Sequence, residues 1–104
     1  MRTMRLSRVA QRSLAETAGY IGSASGNDAI GAAFVSRLRA QCEKLAALPG
    51  TIGRPRPELG ADVRSFAFRN YVILFRYGET TLDILDVVHA HRDADTQMKR
   101  SRGQ

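Results

Sequence analysis

Three runs of β-branched and aromatic residues occupy the second half of the chain, and short polar breaks separate them. The runs extend over Val63 to Phe68, Tyr71 to Tyr77 and Thr81 to His89, and residues of these types favour β-strands. Asn70 and Gly78 stand in the breaks, and both residue types adopt the left-handed backbone that tight turns require. The pattern predicts a three-stranded antiparallel meander. Its middle run is apolar on both faces and is therefore predicted to be the central strand.

The first half of the chain begins with a period of two and then changes to the spacing of a helix. Thr3 to Ser7 alternates apolar with polar side chains, which predicts a short strand. Ser7 can cap a following helix, and the glycines within residues 22–26 end it. The apolar stripe of this helix is Val9, Ala10, Leu14, Ala18 and Ile21. These positions lie on one helix face.

A second helix follows a short linker, with Asn27 or Asp28 as its cap and Pro49-Gly50 as its end. Its apolar stripe is Ile30, Ala33, Phe34, Leu38, Cys42, Leu45 and Leu48. Because the linker is short, the two helices are predicted to form an antiparallel hairpin. Residues 51–62 contain two prolines and two glycines, and this composition predicts a loop.

The predicted fold class is α+β, with the order β-α-α-β-β-β: an N-terminal strand, an antiparallel helical hairpin and the meander. We expect residues 1–97 to form a single domain and residues 98–104 to form a flexible basic tail. A helical hairpin can cover only one face of a small sheet. The other face must curl in on itself or remain apolar for a partner.

Composition narrows the class of partner and the location of the protein. The 104 residues suit one small domain. The formal net charge of +6 favours an anionic partner, such as nucleic acid, an acidic protein or a membrane surface. No apolar run approaches about 18 residues, so we expect no transmembrane helix. Cys42 is the only cysteine, which excludes an internal disulfide and indicates a reducing cytoplasm.

Candidate catalytic and metal-binding residues are few. His89 and His91 are two residues apart at the end of a predicted strand, so both side chains are expected on one side. That spacing could serve a metal, but no third ligand of the right type lies close to them in sequence. Cys42 lies on an apolar helix stripe, where a buried thiol is a poor nucleophile. We therefore expect no catalytic residue, no metal and no cofactor.

The arginines are the more informative set of polar residues. Those in or near the predicted loop and strands are Arg54, Arg56, Arg64, Arg69, Arg76 and Arg92. If the loop folds over the sheet edge, several of them converge on one concave surface, where they can hold phosphate groups. The alternative is a solvated basic face that pairs with nearby acidic residues. Those acidic residues are Glu58, Asp62, Asp83 and Asp93.

Several segments together resemble the ParE branch of the ParE/RelE toxin superfamily, over nearly the whole chain. The most specific segment is residues 53–59, which read Gly-Arg-Pro-Arg-Pro-Glu-Leu. Residues 63–65 and 71–76 on two of the predicted strands follow in the family's order and spacing. Residues 87–89 and 92–93 complete the pattern.

The resemblance implies a cytoplasmic toxin of a type II toxin–antitoxin module, associated with plasmid stabilisation and neutralised by a ParD-like antitoxin. ParE-like toxins inhibit DNA gyrase and are not enzymes, so no direct contact with nucleic acid is expected. RelE-like relatives instead cleave mRNA in the ribosomal A site, using basic residues and a Tyr or His near the C-terminus. This chain lacks that Tyr, which favours the gyrase inhibitor. His89 and His91 keep a ribosome-dependent endoribonuclease, with RNA as its partner, as the alternative.

The expected contact residues divide into two sets. The predicted target-binding residues are Arg54, Arg56, Arg64, Arg76, His89, His91 and Arg92. The predicted antitoxin-binding residues are Phe66, Phe68, Val72 and Leu74. A strongly basic toxin suits an acidic antitoxin tail that folds on binding. Such a tail can lay a helix across the toxin's helices or add a strand to its sheet edge.

Overall fold

The computed structural model describes residues 2–91, which form a five-stranded mixed sheet and a helical hairpin. The elements are β1 (Thr3–Leu6), α1 (Arg8–Ser25), α2 (Asp28–Ala47), β2 (Arg54–Pro55), a 3-10 turn (Pro57–Leu59), β3 (Val63–Phe68), β4 (Tyr71–Tyr77) and β5 (Thr81–His89). The strand order across the sheet is β1-β5-β4-β3-β2. The predicted domain end at residue 97 and the basic residues 98–104 lie outside the described residues.

The α+β class is confirmed, and the sheet is larger than the predicted meander. β3, β4 and β5 are antiparallel neighbours, and β4 is the central strand, as predicted. β1 joins the sheet in parallel with β5, and Thr3 lies opposite Thr81. The predicted loop contains β2, which pairs with β3. The prediction that residues 51–62 are loop throughout was wrong. A strand of two residues is too short to show the alternation of apolar and polar side chains that indicates a strand.

Both turns of the meander differ from their predictions. Arg69, and not Asn70, adopts the left-handed backbone, with a φ of 55°. Arg69 is the first of the two residues between β3 and β4, and one common hairpin turn places its positive φ at that position. Gly78 has no positive φ. A Cβ on Gly78 would lie 2.9 Å from Thr81 Oγ1, so close packing is the reason for glycine there.

Side-chain caps begin both helices where the sequence indicates them. Ser7 Oγ accepts a hydrogen bond from the Ala10 N–H at 3.0 Å. Asn27 Oδ1 accepts one from the Ala29 N–H at 2.9 Å, so Asn27 is the cap and Asp28 is the first helical residue. Each cap satisfies a backbone donor that has no partner within the helix.

Glycines within the hairpin allow the two helices to approach each other closely. α1 continues through Gly22, where the sequence predicts its end, and stops before Gly26, whose φ is 70°. A Cβ on Gly22 would lie 2.8 Å from Asp28 Oδ1. A Cβ on Gly31 would clash with the backbone carbonyl of Ala18. The absence of a side chain at Gly31 therefore lets α2 pack directly against the backbone of α1.

The core lies between the helices and one face of the sheet, which we call the near face; the opposite side is the far face. The largest fully buried side chains are Leu38, Cys42, Leu45, Ile73, Phe75, Leu82 and Ile84. Phe75 pairs with Ile84 across β4 and β5, and both belong to the core that the helices cover. Residues directly opposite each other in a sheet point to the same face. Away from the irregularity in the β4–β5 register between Leu74 and Phe75, this register assigns the strand residues to the two faces.

The apolar helix stripes are buried in their middle and exposed near their ends. Val9, Ile30 and Leu48 are 50%, 49% and 37% exposed, although all three belong to the predicted stripes. Val9 and Ile30 lie in the first turns of α1 and α2, and Leu48 directly follows α2.

Cys42 belongs to the core, as predicted. Burial raises the pKa of its thiol to about 11, and the neighbouring Glu43 carboxylate contributes to the rise. The thiol therefore stays protonated at neutral pH and packs as a small apolar side chain.

Candidate functional site

The predicted antitoxin-binding residues lie on two faces of the sheet. The register places Phe66 and Phe68 on the near face, where both pack against the core. Val72 and Leu74 lie on the far face, because alternate side chains of a strand point to opposite faces. The four residues therefore do not form one patch.

The far face combines an apolar centre with charged residues toward one end. Val72 is buried, and Val88, opposite it on β5, is half-buried. Further along the strands, the register places Arg5, Asp83 and Arg76 in one row across β1, β5 and β4. Among the described residues, Asp83 forms no ion pair. An apolar centre beside exposed cations suits contact with an acidic macromolecular surface.

The segment between β2 and β3 folds back beside the far face, and the buried Arg56 holds it there. Arg56 is 3% exposed, and its Nε donates to Glu58 Oε2 at 2.7 Å. The Arg56 backbone N–H donates to the Val63 carbonyl at 2.8 Å. Arg76 Nε donates to the Ala61 carbonyl at 3.1 Å. Arg56 therefore ties the loop to the fold and has almost no surface in solvent.

Arg54 and Arg76 are exposed at one end of the far face, and we call this pair the basic edge. Arg54 lies opposite Ser65, and Arg76 lies opposite Val63 on the same strand. Arg64 stands between them in the register but points to the near face. Its guanidinium donates to a carbonyl of the preceding loop at 3.0 Å. The loop folds over the sheet edge, which is the condition for the predicted convergence of arginines on one surface. It brings only two exposed guanidiniums together.

The two histidines lie at the other end of β4. His89 is opposite Tyr71, and the two rings meet edge to face with their centroids 5.2 Å apart. β5 ends at His89, so His91 lies beyond the strand, and its backbone N–H donates to His89 Nδ1 at 3.2 Å. The expectation that both side chains extend from one strand side was wrong because the strand ends between them. Tyr71 and Arg76 are separated along β4 by about 17 Å at the rise of a strand.

The predicted target-binding residues therefore occupy separate places. Only Arg54 and Arg76 share the basic edge, and the histidines lie across the length of β4 from them. Arg69 lies in the β3–β4 turn at the histidine end, with its guanidinium 5.7 Å from the ring of Phe68. Arg92 lies outside the described residues.

A groove of about 400 Å³ separates α1 from the ends of β4 and β5. Its lining includes Ser13, Glu16 and Tyr20 from α1, and Tyr71 and His89 from the strands. The three helix residues are three or four positions apart, which places them on one helix face. The apolar stripe of α1 does not indicate this groove, because the residues that line it from α1 lie beside the stripe. The available signal was the polar and aromatic repeat beside that stripe.

Neither α1 nor α2, the two α-helices of residues 2–91, has the combination of length and hydropathy that a membrane span requires. The same residues contain no cluster of three histidine, cysteine or carboxylate side chains with the geometry to hold a metal ion.

The family comparison decides what kind of protein this is. The model for the ParE toxin of the type II toxin–antitoxin system parDE matches residues 4–94. The chain belongs to the ParE toxin family. It is thus a ParE-type toxin of a type II toxin–antitoxin system, and membership of such a system implies an antitoxin as its partner. No curated protein matches the sequence.

Solved structures support the same fold for this ParE-type toxin. The chromosomal ParDE toxin–antitoxin system from P. aeruginosa contains a chain with a TM-score of 0.74 and 19% identity, covering 86% of this chain and 96% of that one. The toxin–antitoxin complex RelBE2 from Mycobacterium tuberculosis contains a chain with a TM-score of 0.61 and 25% identity, covering 85% of this chain and 96% of that one. The neighbours thus come from both branches of the toxin superfamily.

Proposed function

We propose that this ParE-type toxin inhibits DNA gyrase by binding to it, breaks no bond itself, and is neutralised by a ParD-like antitoxin in the cytoplasm. Its family membership and the ParDE structure that resembles it support this function. The observation that carries the proposal is the separation of the basic edge from the imidazoles along β4.

Cleavage of RNA through its 2′-hydroxyl needs a base and an acid beside the groups that stabilise the phosphate charge. In residues 2–91, the basic edge and His89 lie near opposite ends of the sheet, and Arg69, which is at the histidine end, has its guanidinium 5.7 Å from the ring of Phe68. Inhibition by binding requires no such convergence. The half-buried Leu74 and Val88, with exposed cations at one end of the far face, supply contact area and charge for an acidic protein surface.

A supercoiling assay tests the gyrase target. We expect purified toxin to block supercoiling of relaxed plasmid by gyrase in a concentration-dependent manner. An Arg54→Gln/Arg76→Gln variant should need at least about tenfold more protein, because loss of two interfacial charges weakens binding. Arg37→Gln/Arg39→Gln is the matched control, since both residues are exposed on α2. Unchanged supercoiling at saturating wild-type toxin would contradict the proposal.

The antitoxin partner is tested in the same assay. The antitoxin of the same module, added before the toxin, should preserve supercoiling at a molar ratio set by the stoichiometry of the complex. A chain of net charge +6 should bind an acidic antitoxin faster at low salt than at high salt. Continued inhibition at excess antitoxin would show that this protein does not neutralise the toxin.

A ribosome-dependent endoribonuclease is the second candidate, and the resemblance to the RelBE2 chain favours it. His89 is exposed and is the imidazole at the end of a described strand. Primer extension on mRNA translated in the presence of toxin should then reveal cuts within codons, and His89→Gln should remove them. Intact mRNA at toxin levels that stop growth would eliminate this candidate.

A further inference from the structure

We infer that the groove between α1 and the ends of β4 and β5 receives a lysine or arginine side chain of the antitoxin. The inference rests on the proposed antitoxin partner and adds to it a site and a ligand chemistry. It does not depend on gyrase as the target.

The groove is a region of negative charge on a basic protein. The chain has 16 lysines and arginines, yet the described lining contains none of them and does contain Glu16. Glu16 is exposed and forms no ion pair within residues 2–91. Arg12, four residues before Glu16 on α1, does not line the groove, so the Glu16 carboxylate in the groove can attract a positive group from outside the molecule.

A second carboxylate stands behind the groove wall. Ser13, which lines the groove, donates from Oγ to Asp86 Oδ1 at 2.5 Å. The same oxygen accepts the Val87 backbone N–H at 2.7 Å. These two bonds fix the Asp86 carboxylate in place beside the groove, and its charge adds to that of Glu16. Both charges favour a cation over a neutral or anionic group.

Aromatic rings supply the remaining part of a cation site. Tyr20 is 69% exposed at the mouth of the groove. Tyr71 also lines the groove but is only 9% exposed, and its ring centroid lies 5.4 Å from that of Phe34 and 5.2 Å from that of His89. Tyrosine faces beside a carboxylate bind ammonium and guanidinium groups favourably. A groove of about 400 Å³ lies near the lower end of the size range of small-ligand sites, which suits one long side chain.

The surroundings indicate a protein segment as the source of the cation. Val9 is 50% exposed and lies about three turns before Tyr20 on the same face of α1. A charged anchor beside exposed apolar side chains is the usual composition of a protein interface. The groove is also at the end of the sheet away from the basic edge, so an antitoxin bound there and a target bound at the basic edge would use different surfaces.

The groove would give the toxin a means to select its partner. A strongly basic surface attracts acidic tails with little discrimination. A local negative groove binds only a tail that carries a basic residue at the matching position, and it leaves an unpaired charge against any other tail.

A double-mutant cycle tests this assignment on the intact complex. Each Lys and Arg of the antitoxin is replaced by Gln, and the dissociation constant is measured with wild-type toxin and with Glu16→Gln. We expect one antitoxin residue whose replacement weakens binding roughly threefold to thirtyfold to wild-type toxin but has little further effect with the variant. Glu79→Gln, at an exposed position in the β4–β5 turn, should show no such coupling.

Amide chemical shifts of the isolated full-length toxin provide the second measurement. N-acetyl-arginine amide should shift the amide signals of Glu16, Tyr20 and His89 in a saturable way, and the uncharged N-acetyl-citrulline amide should not. Tyr20→Leu, with a wild-type-like spectrum elsewhere, should weaken the response; this variant keeps the test valid if Glu16→Gln misfolds.

Each outcome bears on a different part of the inference. An equal response to both compounds, or no saturation, overturns the cation site. Binding of the arginine compound without coupling to any antitoxin residue overturns the antitoxin as the source. Failure of wild-type toxin to bind its antitoxin contradicts the proposed function itself, and the shift measurement then decides on the groove alone.

Discussion

Consecutive side chains of β4 lie in two different environments. Phe75 on the near face is fully buried beneath the helices, whereas Leu74 on the far face is half-buried and Arg76 is exposed. The near face excludes solvent and is apolar throughout the middle of the sheet. The far face mixes apolar and charged groups. The difference indicates that the stability of the fold comes mainly from one face, which leaves the other free to change with the partner.

The largest expected effect compares neighbouring residues on the two faces. Phe75→Ala should lower the free energy of unfolding by about 3–5 kcal/mol, because it leaves a cavity in a closely packed core. Leu74→Ala should cost about 1 kcal/mol, because its side chain is already half in solvent. Urea denaturation with unchanged m-values measures both. Equal losses would refute the contrast between the faces.

Substitution of two helix glycines tests how closely α1 and α2, the helices that cover the near face, pack against each other. Gly31→Ala should destabilise the protein by about 2 kcal/mol, because the new Cβ would push α2 away from the Ala18 carbonyl. Gly19→Ala should stabilise it by up to about 1 kcal/mol, because no atom lies within 4 Å of its added Cβ and alanine favours the helix. Thermal denaturation of both variants gives the sign; stabilisation by Gly31→Ala would show that the helices do not pack this closely.

The pH dependence of the free energy of unfolding tests whether the core beneath the near face excludes water. The pKa of Cys42 is raised from 9.0 to about 11 in the folded protein, so the contribution of the protonated thiol is complete below pH 9 and is lost as the pH rises toward 11. Relative to Cys42→Ala, the wild-type protein should lose up to about 1.4 kcal/mol per pH unit in this window. Identical slopes for the two proteins would mean that the thiol is hydrated.

The smallest expected effect concerns charge on the far face. Asp83 lies in the register between Arg5 and Arg76, so Asp83→Asn should cost about 0.2–1 kcal/mol. The loss should nearly vanish at about 1 M salt, because exposed charges are screened. Glu79→Gln, in the β4–β5 turn, is the control. A loss that persists at high salt would indicate a packing role for Asp83.

The sequence predicts those parts of the fold that repeated side-chain burial determines. Apolar residues repeat every two positions in the strands from Val63 to His89 and about every 3.6 positions in the middle of both helices. Each repeat predicts its element, because it marks the side chains on one buried face. No repeat in the sequence predicts the strand at Arg54 or the burial of Arg56, since both depend on where a loop meets β3. The groove joins Glu16 to His89, residues far apart in sequence, and only the packing of α1 on β5 brings them together.

The parallel pairing of β1 with β5 couples the beginning of the chain to its end. The Thr3 backbone N–H donates to the Thr80 carbonyl at 2.9 Å, so it has no partner in the sheet until β5 is made. During translation the sheet therefore remains incomplete until β5 has been synthesised. A surface that needs the complete sheet, such as the row of Arg5, Asp83 and Arg76, forms only after that point.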